Sequence, residues 1–356
     1  MKKLFLEVFI VLFISFLLIE ISAVILIKSG YLPNGITPRV TLVPDKKFGF
    51  WHHKNRTFKL ASPCWNSKVS YNNYGMRNSL DTKLIKKKKR IAIMGDSMSE
   101  NLEVSDGKDF GSLLQSKLPD FEVLNFSTRS TGLGDQLELY KGLAKNFDLD
   151  HVFLFISDND FEDNYYLNSR PSQNKYKIEN NVISKIEIDK NFFISQKKFI
   201  NKLKKEDLVF VKEYLNSYIL YSHIVAYIKY KIYKKQPKIN LIETDAFKDY
   251  EEKKKIYSYL VKNFKEALSN NEKLHVFVNL RPKIISQKFY PEKKNIEEMS
   301  KIWGSQIINP INEGINFLKS KKKYNEPFFS FSCDGHYSEL GAKFMANFVS
   351  NYFLNN

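Results

Sequence analysis

The sequence predicts an α/β fold whose parallel sheet is covered by helices on both faces, and three observations carry the prediction. Beyond Arg90, short apolar runs alternate with segments of helical period. The apolar runs are nearly continuous, which suits strands buried on both sides. Alternation of strand and helix implies right-handed crossovers, and these place helices on both faces of the sheet.

The elements follow in order. Residues 91–94 read as a buried strand and 110–118 as the helix after it; 122–126 and 136–147 repeat the pair, and 151–156 is the next strand. A later strand is expected at 273–280, and a last one at 328–331. The final helix, 338–353, sets Leu340, Phe344, Phe348 and Phe353 along one side.

Three regions lie outside this pattern. Residues 1–30 begin with Lys2 and Lys3, followed by an apolar run long enough to cross a bilayer and interrupted by Glu7 and Glu20. No small-x-small cleavage site follows a short apolar core, so an uncleaved single-pass anchor is expected. The lysines would stay in the cytoplasm, with the body of the chain outside, at the cell membrane. Residues 31–89 are rich in Pro, Gly, Asn and aromatics, and read as an extension that wraps the domain, since such aromatics need covering. Within the main domain, 90–356, a stretch of about 162–270 is too long for a simple connector. Its start, 176–194, suits a small hairpin. The tyrosine-rich 208–235 suits a helix, either packed on the core or lying on a membrane surface or over a site.

The chain has 356 residues, 43% hydrophobic and 15% aromatic, enough for one substantial globular domain. Its net charge of +17 invites a nucleic-acid reading. The lysines are scattered in short runs among Asn, Ile and Phe, with no nucleic-acid motif, and that reading is set aside. The two cysteines, Cys64 and Cys333, either pair across the extension and the last loop or are separate buried thiols. Neither has a thiol or histidine at zinc-ligand spacing, and His52-His53 lacks a suitable third ligand, so neither metal nor cofactor is implied.

Chemistry-bearing residues fall at strand ends, where open α/β sheets bind ligands. Ile91-Ala-Ile-Met-Gly-Asp-Ser-Met-Ser-Glu100 runs a buried strand into a tight turn at Gly95 and delivers Ser97. A serine hydroxyl needs a base within hydrogen-bond reach, and the base needs a third group to orient it. Of the six histidines, only His336 stands in a loop between a late strand and a helix, two residues after a carboxylate, Asp334. At the end of 151–156, Asn159 offers an amide donor of the kind a tetrahedral oxyanion requires.

Gly95-Asp96-Ser97, Asn159-Asp160 and Asp334-Gly335-His336 resemble the first, third and fifth blocks of the SGNH (GDSL-like) hydrolases, in that order. Val123-Leu-Asn-Phe126 and the following 127–134 resemble the second. The resemblance covers about 48–353, apart from the middle stretch. It implies a flavodoxin-like three-layer α/β/α sandwich and a Ser-His-Asp mechanism. Ser97 would attack an ester carbonyl, His336 would act as base and then acid, and Asp334 would orient His336. The oxyanion would be held by the backbone N–H of Ser97, the Asn159 side chain and a backbone N–H from the second block. For that last donor two positions stand: Ser130, where the family usually has glycine, and Gly132. The Asp-x-His spacing also departs from the commoner Asp-x-x-His.

The function so implied is ester hydrolysis, with O-acyl groups such as O-acetyl on envelope or extracellular glycans as the expected substrate. An O-acyltransferase would use the same residues with a sugar hydroxyl as acceptor. A catalytically silent glycan-binding or assembly protein would keep the fold alone.

Overall fold

The computed structural model describes residues 2–29, 41–62, 65–167, 173–186, 249–280, 291–320 and 335–356, with isolated residues 188, 220, 221, 224 and 330. The centre is a five-stranded, wholly parallel sheet. Its strands are β5 (Lys89–Met94), β6 (Phe121–Asn125), β7 (His151–Ile156), β10 (Lys273–Val278) and β11 (Ile307–Ile308), in the order β11-β10-β7-β5-β6. From β5 the chain steps outward to β6, then returns past β5 to β7. The gap beyond the carboxyl ends of β5 and β7 is therefore the topological switch point, where such sheets open a crevice.

Strand alternation divides the core between two faces. Ala92, Met94, Val152, Leu154, Ile156, Val276 and Val278 point to one side, which is covered by α4 (Leu133–Gly142), α5 (Tyr250–Ala267) and α6 (Pro291–Trp303). Ile91, Ile93, Phe153, Phe155 and Phe277 point to the other, under α3 (Phe110–Lys117) and α8 (Glu339–Asn355), with α7 (Ile311–Ser320) alongside. The result is the expected three-layer α/β/α arrangement. Each buried Phe or Leu contributes about 1.5–3 kcal/mol, so these two faces dominate stability.

The region before the sheet is built of two hairpins. β1 (Leu42–Asp45) pairs with β2 (Gly49–His52), and β3 (Arg56–Ser62) with β4 (Trp65–Tyr71). Phe48 and Trp51 are buried in the first face of the core. A Cβ on Gly142 would come within 2.7 Å of the Phe48 ring, so the helix accepts the aromatic because it carries no side chain there. A third hairpin, β8 (Lys175–Glu179) with β9 (Val182–Ile186), occupies the start of the middle stretch, and α5 at its end is the crossover helix between β7 and β10. Most of the tyrosine-rich 208–235 lies outside the described residues, as do Cys64 and Cys333. Of 328–331, read as the last strand, only Ser330 is described, where it bridges Tyr337; among the described residues the sheet's outer strand beside β10 is β11. At the N-terminus, α1 (Lys2–Lys28) is long and apolar enough to cross a membrane, with mean hydropathy 2.9 over its most apolar window. Its last two turns dock on the protein body: Ala23 is buried, and Ile27 packs on the cluster of Phe58, Leu60, Trp65, Val69, Tyr71 and Leu102.

Candidate active site

The turn after β5 is shaped by contact. A Cβ on Gly95 would sit 2.6 Å from Ser99 Oγ and 3.1 Å from Phe155 Cβ, so only glycine lets the strand leave the sheet this closely. Asp96 then caps the short helix α2 (Ser97–Glu100) by accepting from the Met98 N–H at 3.0 Å. Ser97 is the first helical residue, and a backbone N–H at that position has no acceptor within its own helix.

His336 reaches Ser97 from the far end of the chain, with Nε2 2.8 Å from Ser97 Oγ. Its loop is fixed on both sides. Gly335 has φ +79°, a left-handed turn that favours glycine. Tyr337 is buried, its phenol oxygen accepts from the Leu280 N–H at 2.8 Å, and Ser338 caps α8 through the Gly341 N–H. The Tyr337 carbonyl accepts from Asn101 Nδ2 at 3.1 Å. His336 keeps 25% of its side-chain surface, so the Ser97–His336 pair borders solvent and is open to a substrate.

Asp334 lies outside the described residues. Among the described residues, a carboxylate that comes close to His336 is Glu103, whose Oε1 is 3.3 Å from Nδ1 and whose side chain is 3% exposed. The sequence offered no local signal for it, because the two residues are separated by more than 230 positions.

Asn159 sits in a single 3-10 turn, Asp158–Phe161, at the end of β7, beside the same crevice. The turn is capped by Asp160, which accepts from the Ser157 N–H at 2.8 Å. Asn159 Nδ2 donates to Asp163 Oδ2 at 2.5 Å. The loop after β6 is laced to the turn that carries Ser97: the Thr128 N–H donates to the Gly95 carbonyl at 3.1 Å, and the Arg129 N–H donates to Glu100 Oε2 at 2.7 Å. Ser130 follows with φ +61°, in the left-handed region. The Gly132 N–H is already donated to Asp135 Oδ2 at 3.0 Å, where it begins α4.

Two buried polar centres hold these pieces together, and neither was evident in the sequence. Asn279, just past β10, donates Nδ2 to Ser157 Oγ at 3.0 Å and approaches Asp96 Oδ1 and Ser99 Oγ at 3.4 Å; its Oδ1 accepts from the Tyr337 phenol at 3.3 Å. Glu100, fully buried, accepts from the Tyr71 phenol at 2.7 Å and lies 3.1 Å from His52 Nε2. Burial alone would raise the Glu100 carboxyl, but Arg129 and His52 outweigh it and hold the group well below the usual carboxylate range. Among the described residues, no three His, Cys, Asp or Glu side chains gather as a metal centre would.

No protein-family model matches the sequence, and no curated protein is significantly similar to it. Several solved structures are similar in architecture. A lipase/acylhydrolase from Enterococcus faecalis is 9% identical, with 74% of this chain and 95% of that one covered at a TM-score of 0.40. An acetyl xylan esterase is 10% identical, covering 74% and 98%, at 0.41. A member of the lipolytic G-D-S-L family from Veillonella parvula is 12% identical, covering 75% and 100%, at 0.38. Identities this low leave the likeness at the level of the fold.

Proposed function

We propose that this protein is a membrane-anchored serine hydrolase that cleaves ester bonds, with Ser97 as nucleophile and His336 as its base. The observation that carries the reading is the 2.8 Å contact between Ser97 Oγ and His336 Nε2 at the switch point of a parallel sheet. Ser97 Oγ attacks the ester carbonyl carbon as its proton passes to Nε2, and the oxyanion that forms is held by backbone and amide N–H groups. The donors are the Ser97 N–H, the Asn159 side-chain amide and the Ser130 N–H. Ser130 is preferred to Gly132 because the Gly132 N–H is committed to Asp135.

Nε2 then gives its proton to the departing alcohol oxygen, leaving an acyl group on Ser97. Water, deprotonated by His336, attacks that acyl carbonyl; the acid is released and Ser97 recovers its proton. In the sequence reading Asp334 is the acidic member of this set. The apolar α1 and its docking on the body support a site held close to a membrane surface, and O-acyl groups on envelope or extracellular glycans are the substrate class proposed.

The test uses the full-length chain in detergent with p-nitrophenyl acetate and with O-acetylated glycans. Acetate release that disappears in Ser97→Ala supports the reading. A folded wild-type protein that releases no acetate from either substrate contradicts hydrolysis. If the acyl group instead appears on an added glycan acceptor, the same residues carry acyl transfer.

A further inference from the structure

Building on the Ser97–His336 reading, we infer that Glu103 is the carboxylate that positions His336. An imidazole Nδ1 carries a single hydrogen, and the tautomer that donates it leaves Nε2 free to accept the serine proton. Glu103 Oε1 stands 3.3 Å from Nδ1. That is longer than the roughly 2.7–2.9 Å of a tight charge-assisted hydrogen bond, and catalytic contacts commonly tighten only when substrate is bound. A carboxylate this deeply buried beside the ring favours the imidazolium that forms during the reaction.

The chain around Glu103 is built to hold it there. Asn101 ends α2 in the left-handed region, at φ 51° and ψ 51°, which turns the chain out of the helix two residues before Glu103. Its Oδ1 accepts from the Phe110 N–H at 3.0 Å while its Nδ2 holds the Tyr337 carbonyl. The carbonyls on either side of Glu103 are both occupied: Ser67 Oγ donates to the Leu102 carbonyl at 2.6 Å, and Arg77 Nη2 donates to the Val104 carbonyl at 3.0 Å. Arg77 is itself buried and paired with Asp106. The nucleophile and the carboxylate thus come from one short segment, 97–103, and the imidazole of His336 spans the space between them. Glu103 is a positioning residue: it acts on the ester only through His336.

The experiment compares full-length wild type, Glu103→Gln, Glu103→Asp, Asp334→Asn and Ser97→Ala in detergent, measuring kcat and KM for p-nitrophenyl acetate across pH, with Tm as the control for folding. Glutamine is neutral, and its amide can donate to Nδ1 and so stabilise the wrong tautomer. Glu103→Gln is therefore expected to lower kcat on the order of 10²-fold or more with KM little changed. The acidic limb of the kcat/KM profile should move to lower pH, because the neighbouring negative charge that favours imidazolium is gone.

Aspartate keeps the charge one methylene short, so Glu103→Asp should lose only several-fold in kcat. If the glutamine variant does not fold, Glu103→Asp decides, and an unchanged kcat overturns the assignment. It is also overturned if Glu103→Gln keeps the wild-type pH profile, or if Asp334→Asn alone moves that limb. Loss of the serine reading itself would look different: Ser97→Ala would then hydrolyse the ester as fast as wild type.

Discussion

Asn101 donates its side-chain amide to the backbone carbonyl of Tyr337 at 3.1 Å, which fastens the turn behind Ser97 to the loop that carries His336. The two segments are far apart in the chain, so this bond and its neighbours set the distance between Ser97 and His336. Replacing Asn101 by Ala forces an alanine into the left-handed region, at about 1–2 kcal/mol, and leaves the Phe110 N–H and the Tyr337 carbonyl without this partner. The expected loss in unfolding free energy is about 2–4 kcal/mol, measured by chemical denaturation. Asn101→Gly keeps the backbone conformation but not the amide, and should recover roughly the conformational part alone.

Gly95→Ala tests the close approach at the end of β5. The added methyl meets Ser99 Oγ and the Phe155 Cβ, both in the packed interior, so the turn carrying Ser97 must shift. A destabilisation of about 1–3 kcal/mol is expected, with a larger fall in kcat than in KM, because binding surfaces elsewhere stay intact.

Asn279 is predicted to be as sensitive as the residues that touch substrate. Asn279→Ala removes the donor shared by Ser157, Asp96 and Ser99 and the acceptor for Tyr337, all buried. Loss of about 2–4 kcal/mol follows from leaving such groups unpaired, and thermal melting together with ester turnover would register it.

Acid stability should depend on a histidine pair at the other end of the sheet. His151 Nδ1 and His275 Nε2 are 3.2 Å apart, packed among Phe153 and Phe353. Burial, aided by His151 and Lys273, lowers His275 to about 4, and burial lowers His151 as well. Both are therefore neutral in the fold at neutral pH. An unfolded chain takes up these protons as pH falls through about 6.5, while in the fold His275 resists until near 4 and His151 also resists below its ordinary range, so stability is lost as pH falls through that interval. Tm should fall from pH 6.5 to 4.5, and His275→Phe, which keeps the aromatic packing, should flatten the decline.

Much of this was readable in the sequence where the signal is local. The runs that became β5, β7 and β10 are short, apolar and buried on both faces, and Ser97 follows one of them directly. His336 stood out by elimination, and the structure brings it to Ser97. What could not be read are contacts that depend on long-range closure. Glu103 sits in an ordinary-looking loop, and nothing near it announces an imidazole from the other end of the chain. Asn279 follows a strand like any turn residue, yet it joins three strand ends. The proposal of Ser130 over Gly132 rests on a contact the sequence could not show, the Gly132 N–H donating to Asp135. The outer strand β11 has only two residues, too few for a periodic pattern, so it was not read in the sequence.

The central claim is that Ser97 is a nucleophile made reactive by His336. Its most direct measurement is the site and rate of fluorophosphonate attachment, mapped by peptide mass spectrometry on wild type and His336→Ala. The account predicts a single adduct on Ser97 in the wild-type chain, with a rate lower on the order of 10²-fold or more in the variant. An adduct on a different residue, or one on Ser97 formed equally fast without the imidazole, would contradict it.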